Sequence, residues 1–259
     1  MKFRPRLNKN ALLFGGAAAW GLLLISCVMV NRTVLQSPLI PGATFVGNKA
    51  CTECHAEHVE GFADATHANV ALGDAKLGST GCEACHGPGS LHVKSGGTKA
   101  TIVNAGAKPE TCFQCHLDKR GEFSLANSHA VLAGKVSCND CHDPHRGNAI
   151  SGSGAALEAQ NETCTKCHTA QKGPFIFGHN AMKEGCVACH SPHGSVNQKM
   201  LVARDANLCL RCHLQTTDRN GVILVSGSDH RTRLQNGTCW IAGCHEAVHG
   251  SNSSKSLRY

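Results

Sequence analysis

Aromatic side chains are scarce, at 4% of 259 residues, with 8 Phe, 2 Trp and a single Tyr. A soluble domain of this length ordinarily buries many large apolar side chains, so a conventional core is excluded. Methionine is also short: beyond residue 30 only Met182 and Met200 remain. No basic stretch studded with aromatics marks a nucleic-acid surface. The formal charge of +7 does not alter this, because Lys2, Arg4, Arg6 and Lys9 all lie in the first ten residues. What the chain does have is 28 Gly, 17 Cys and 17 His. Something other than side chains must fill its interior.

Residues 1–10 are basic and residues 11–30 carry no charge, the layout of a secretory signal. Three outcomes stay open. Leu24-Ile25-Ser26-Cys27 has the form of a lipoprotein cleavage box, with Cys27 as the lipidation candidate. The twenty-residue run is also long enough to span a bilayer as an uncleaved anchor. A plain cleaved signal is the third. Each places the remaining chain outside the cytoplasm, and the expectation is a periplasmic protein.

An exported chain rich in cysteine first suggests a disulfide framework, but the spacing argues against it. Cys-x-x-Cys-His occurs seven times: Cys51-Cys54-His55, Cys82-Cys85-His86, Cys112-Cys115-His116, Cys138-Cys141-His142, Cys164-Cys167-His168, Cys186-Cys189-His190 and Cys209-Cys212-His213. Chance would supply roughly 0.07 such motifs at this composition. Two thiols so spaced add to the two vinyl groups of one haem, and the following histidine lies under the iron as its proximal ligand. A zinc ribbon needs no histidine after each pair, and a dithiol redox site uses one pair. An eighth site, Cys239-Trp-Ile-Ala-Gly-Cys244-His245, has four residues between its cysteines. It uses the last two cysteines in step with the others, leaving only Cys27 unpaired. The expected cofactor is haem c, eight copies, or seven if Cys239 and Cys244 form a disulfide. Eight haems would bring sixteen propionates, outweighing the residual positive charge when the irons are ferrous.

Setting aside the proximal histidines leaves His58, His67, His92, His129, His145, His179, His193, His230 and His249. After the first, third, fifth and seventh motifs a histidine follows at 12, 13, 11 and 17 residues: His67, His129, His179 and His230. After the second, fourth, sixth and eighth the gaps are 6, 3, 3 and 4: His92, His145, His193 and His249. This is an internal repeat of four two-haem modules starting at Cys51, Cys112, Cys164 and Cys209. Each module has a far and a close extra histidine, so the spare histidines match the open axial positions and bis-histidine ligation is expected throughout. His145 and His193 sit three residues after their proximal ligands, too near to reach the far face of the same porphyrin, and are expected to ligate a neighbouring haem. His58 lies outside the scheme and is read as a surface residue.

The expected organisation is a signal or anchor over 1–30, a linker over 31–48, a haem domain over 49–250 and a flexible tail over 251–259. The expected fold is that of a multihaem cytochrome c: mostly irregular, with short α-helices, little or no β, and an elongated chain dictated by stacked haems.

The segments FVGNKACTECH, CEACHGPGSLH, CHDPHRG, KGPFIFGHNAMKEGCVACHSPHGS and ARDANLCLRCH resemble the Mtr/Dms-type periplasmic multihaem cytochromes, over most of residues 45–250. The best-known members carry ten haems, and this chain looks closer to shorter octahaem members of porin–cytochrome conduits. The resemblance implies electron transfer in association with the outer membrane, with a β-barrel porin and other multihaem cytochromes as partners, and no catalytic residue. Two alternatives stand beside it: a periplasmic donor to a terminal reductase, and a reductase of small nitrogen or sulfur oxyanions. The last needs an iron with a free sixth position. Multihaem nitrite reductases often mark one with Cys-x-x-Cys-Lys, which is absent here.

Overall fold

The computed structural model describes residues 37–70, 81–146, 155–234, 238–241 and 243–259. Cys27 and the rest of the N-terminal segment lie outside them. All the described residues fall within one compact unit, Gln36–Tyr259.

Each Cys-x-x-Cys-His motif folds as a single helical turn. The proximal N–H donates to the carbonyl of the first cysteine, four residues back: His55 to Cys51 at 2.9 Å, His116 to Cys112 at 3.0 Å, His168 to Cys164 at 3.1 Å and His213 to Cys209 at 2.9 Å. Residues three and four apart share a helix face, so the turn gathers both thiols and the imidazole on one side.

The helices are correspondingly short. They are α1 (Asn48–Thr52), α2 (Ala56–Phe62), α3 (Cys82–His86), α4 (Ser90–Lys94), α5 (Pro109–Phe113), α6 (Leu117–Phe123), α7 (Ala155–Thr165) and α8 (Ala206–Cys209), interspersed with single 3₁₀ turns. The longest, α7, has 11 residues, still short of the roughly 12–15 that an isolated helix needs. The strands are β1 (Phe177–Gly178), β2 (Gln215–Thr217), β3 (Ile223–Val225), β4 (Ser228–Asp229) and β5 (Gly250–Ser251). The fold is largely irregular, with few short helices and little strand.

Among the described residues, the buried apolar side chains are Ala65, Ala84, Phe113, Val131, Leu201 and Ala247. Leu117, Ile176, Val196 and Leu214 are instead exposed. So few buried side chains cannot hold a chain of this length, which fits a protein whose apolar interior is supplied by its prosthetic groups.

Polar anchors do the remaining positioning. Glu83 is 1% exposed, and its carboxylate accepts N–H bonds from Val46 (3.0 Å), Gly47 (2.8 Å) and Gly89 (2.8 Å). Asn48 accepts from the Cys82 N–H, and Asn161 accepts likewise from the Cys186 N–H. In modules one and three, an asparagine three residues before the first cysteine thus ties the second motif to it.

Two antiparallel clasps join successive modules. Asn127 and Ser195 exchange backbone bonds of 3.1 and 2.8 Å, while β1 pairs with β5 in the register Phe177↔Ser251. In both clasps the first partner lies two residues before a far histidine (His129, His179). The second lies two residues after a close one (His193, His249). Pairing therefore sets a far histidine of one module beside a close histidine of the next.

Residues 251–259 make hydrogen bonds among themselves and to the eighth site. Ser251 is buried, the Arg258 carbonyl accepts from its hydroxyl, and the Arg258 guanidinium donates to the Cys244 carbonyl. The serines of this segment satisfy one another's backbone.

Candidate haem sites

The imidazoles fall into pairs. Two histidines on opposite sides of one iron, each with a metal–nitrogen bond of about 2 Å, hold their ring centroids about 6 Å apart. Seven proximal histidines face a spare histidine at that separation. They are His55–His92 (6.3 Å), His86–His145 (6.2 Å), His116–His67 (6.1 Å), His142–His193 (6.0 Å), His168–His129 (6.1 Å), His190–His249 (6.1 Å) and His213–His179 (6.2 Å). The donor set fits haem iron at all seven. His58 is exposed, with its ring 6.1 Å from His55 and 5.0 Å from His145. Only three residues beyond His55, on the first turn of α2, it cannot reach the opposite porphyrin face.

The pairing follows a rule that the sequence does not reveal. A far histidine meets the first proximal histidine of the next module: His67 with His116, His129 with His168, and His179 with His213. A close histidine meets the second proximal histidine of the previous module: His145 with His86, His193 with His142, and His249 with His190. The first module also closes on itself, through His55 and His92.

Ring orientation is fixed from the Nδ1 side. Nδ1 lies 2.9 Å from the Val103 carbonyl in His86, 3.0 Å from Thr98 in His92 and 2.8 Å from Lys199 in His190. Two far histidines reach the residue just before the close histidine of the next module, His129 to the Pro192 carbonyl (2.7 Å) and His179 to that of Val248 (2.8 Å). His193 instead faces the Glu122 carboxylate at 3.0 Å. An Nδ1–H donated this way leaves Nε2 bare as a ligand and fixes the plane of the ring. His142, His145 and His249 have their pKa values pushed down, first by burial and then by neighbouring histidines. That keeps them neutral, the form that coordinates metal.

The thiols are arranged by module. Burial, followed by the charge and hydrogen bond of a neighbouring thiol, raises Cys51 and Cys164 to about 11 and Cys112 and Cys209 to about 12. The neighbour is Cys82 for Cys51, Cys138 for Cys112, Cys186 for Cys164 and Cys239 for Cys209. Cys239 thus occupies in the fourth module the place that a first attachment cysteine takes in the other three. The turn also closes as elsewhere, because the His245 N–H donates to the Cys239 carbonyl at 3.1 Å across the longer loop. Neither Cys239 nor Cys244 is in a disulfide. Among the described residues, no group of three or more His, Cys, Asp or Glu could hold a metal ion in the manner of a zinc ribbon.

These are the attachment sites of a multihaem c-type cytochrome. The family described as a doubled CXXCH motif matches residues 129–173 and 179–217, and that described as cytochrome c554 and c-prime matches residues 92–143. Together they span somewhat under half of the chain, with the repeated attachment motifs at their centre. No curated protein matches the chain. The cytochrome binds haem c through its Cys-x-x-Cys-His motifs, and electron transfer is the general activity of such proteins. The clasps and the anchors at Glu83, Asn48 and Asn161 were missed by sequence reasoning. The repeated asparagine three residues ahead of Cys51 and Cys164 was the one signal available for them.

Proposed function

We propose that this cytochrome is an octahaem electron conduit of the Mtr/Dms type, in which every iron takes two histidines. The seven imidazole pairs at 6.0–6.3 Å carry the reading. Bound haem supplies a one-electron iron couple. The chain's own residues hold the rings of His86, His92, His129, His179, His190 and His193 through Nδ1, and exchange of histidines between modules ties attachment turns of successive modules together. Two imidazoles on one iron leave no position for substrate and omit the thioether that raises potential, so the potentials are low.

The setting is the periplasmic side of the outer membrane. There a β-barrel porin and other multihaem cytochromes would carry electrons to or from the exterior. The support is the resemblance over residues 45–250 and the exported character of the N-terminus. Among the described residues no helix is long and apolar enough to cross a membrane, so on this reading any crossing depends on a partner or on the N-terminal segment.

Haem content tests the count. Intact mass and haemochrome titration of the matured chain are expected to give eight haems. Replacing both Cys239 and Cys244 by alanine removes one and leaves seven. Seven in the parent chain, unchanged in the variant, would show that the fourth module carries one haem. Co-purification with a barrel protein from outer membranes tests the setting, and recovery only in the soluble periplasmic fraction contradicts it.

A further inference from the structure

The two clasps share a backbone pattern but set different residues against the close histidine. In the first, Gly194 follows His193 and is buried against α6, where a side chain at that position would collide with the Glu122 carbonyl. Only glycine allows so close an approach, and the Glu122 carboxylate comes to 3.0 Å from His193 Nδ1. The Phe123 ring, its centroid 5.3 Å away, packs on the same imidazole. In the second clasp, Gly250 follows His249 and is buried likewise, but what it meets is the ring of Phe175. A phenylalanine thus takes the place of the glutamate.

The charges around the two sites also differ in sign. Glu122 shares Lys119 (2.6 Å) with Asp118 (3.1 Å). Two carboxylates facing one ammonium leave a net negative charge beside the His142–His193 pair. Beside the His190–His249 pair stands Lys199, whose carbonyl lies 2.8 Å from His190 Nδ1. Lys199 and Met200 hold left-handed φ values of 56° and 53°, a conformation that disfavours any side chain. This turn aims both carbonyls at the sixth attachment motif, since the Ser191 N–H donates to Met200 at 2.7 Å. Burial first, then His190 and Lys199, push the His249 pKa down, which brings the Lys199 charge to bear on the second ligand too. One residue therefore acts on both ligands of the same iron. Arg211 adds another cation on the attachment side, where it opposes the burial that raises the Cys189 thiol.

We propose that these neighbours build a step in reduction potential into the chain, with the His142–His193 site lower and the His190–His249 site higher. A carboxylate accepting the Nδ1 proton makes the imidazole a stronger donor and favours ferric iron. A cation close to the ligands favours ferrous iron. One electron passes from ferrous iron at the first site to ferric iron at the second, with no bond made or broken. Electrons therefore collect on the third module at the expense of the second. The inference rests on the bis-histidine reading.

Full-length, haem-loaded protein is titrated with redox mediators, followed by absorbance and by the low-spin ferric resonances. Glu122→Gln marks the first site by raising one component, and Lys199→Gln marks the second by lowering another. In the parent, the component that Glu122→Gln moves is expected to lie below the one that Lys199→Gln moves. The expected gap is at least a tenfold electron partition, about 59 mV for a one-electron couple, and the double variant narrows it. A reversed order or a gap below tenfold overturns the proposal. So does one component moved by both variants, or a variant that leaves every component in place. High-spin iron in the resting parent would instead overturn the bis-histidine reading, and it is visible before any titration.

Discussion

Replacing His193 by methionine raises the reduction potential of one haem, and only one, by on the order of 100 mV. His193 stands 6.0 Å from His142, and its Nδ1 lies 3.0 Å from the Glu122 carboxylate. That carboxylate is held by Lys119 at 2.6 Å and sits below the usual carboxylate range, chiefly through this lysine and further through His193. It is therefore charged at neutral pH. A carboxylate accepting the Nδ1 proton makes the imidazole a stronger donor and favours the oxidised iron. Methionine removes both the imidazole and its link to the carboxylate. Glu122→Gln keeps the ligand but loses the charge, so the same haem shifts in the same direction by on the order of tens of millivolts. Spectroelectrochemical titration reads both as one component leaving the low-potential envelope. An unshifted titration in His193→Met would show that His193 is not a ligand.

Glu83→Ala costs about 2–4 kcal/mol of stability, with the loss centred on the first module. The side chain is buried and accepts N–H bonds from Val46, Gly47 and Gly89. These join the segment ahead of the first attachment turn to both ends of the second. Truncation strands the buried Gly89 N–H, at about 1–3 kcal/mol, and also removes the charged acceptor of the more exposed Val46 and Gly47 N–H groups. Guanidinium unfolding of the haem-loaded variant is expected to show a midpoint well below the parent. Limited proteolysis is expected to cut first near residues 40–50. Glu83→Gln retains one acceptor oxygen and recovers part of the loss. A variant within about 1 kcal/mol of the parent would mean that these backbone groups find other partners.

The attachment chemistry was legible because it is local. Two thiols and an imidazole within five residues need one helical turn, and one turn is visible in a sequence. The stock of spare histidines was legible too, since residues such as His129 and His179 recur at regular offsets. Their destinations were not. They depend on a single β-bridge at Asn127 and Ser195 and on the two-residue strands β1 and β5, which have no periodicity to detect. The hydrogen bonds of residues 251–259 were hidden for a related reason, because Arg258 donates to the Cys244 carbonyl, which only the fold brings near. His145 and His193 were expected to reach a neighbouring haem on grounds of chain length alone. In the structure they stand beside His86 and His142, each one module back.

Ring orientation offers the most direct test of the ligand exchange between modules. Parallel imidazole planes split the iron d orbitals that bond to the rings, whereas perpendicular planes leave those orbitals nearly degenerate. The two arrangements give distinct low-spin ferric resonances. Four pairs lie within 20° of parallel: His55–His92, His86–His145, His190–His249 and His179–His213. Two are steep, His67–His116 at 77° and His129–His168 at 63°, and His142–His193 lies between at 31°. Low-temperature paramagnetic resonance of the fully oxidised cytochrome should show a majority rhombic class together with a minority of large-g signals equivalent to two haems. The minority is expected to fall to one in His67→Met. A single rhombic class, or a minority signal untouched by that substitution, would contradict the exchange of histidines between modules.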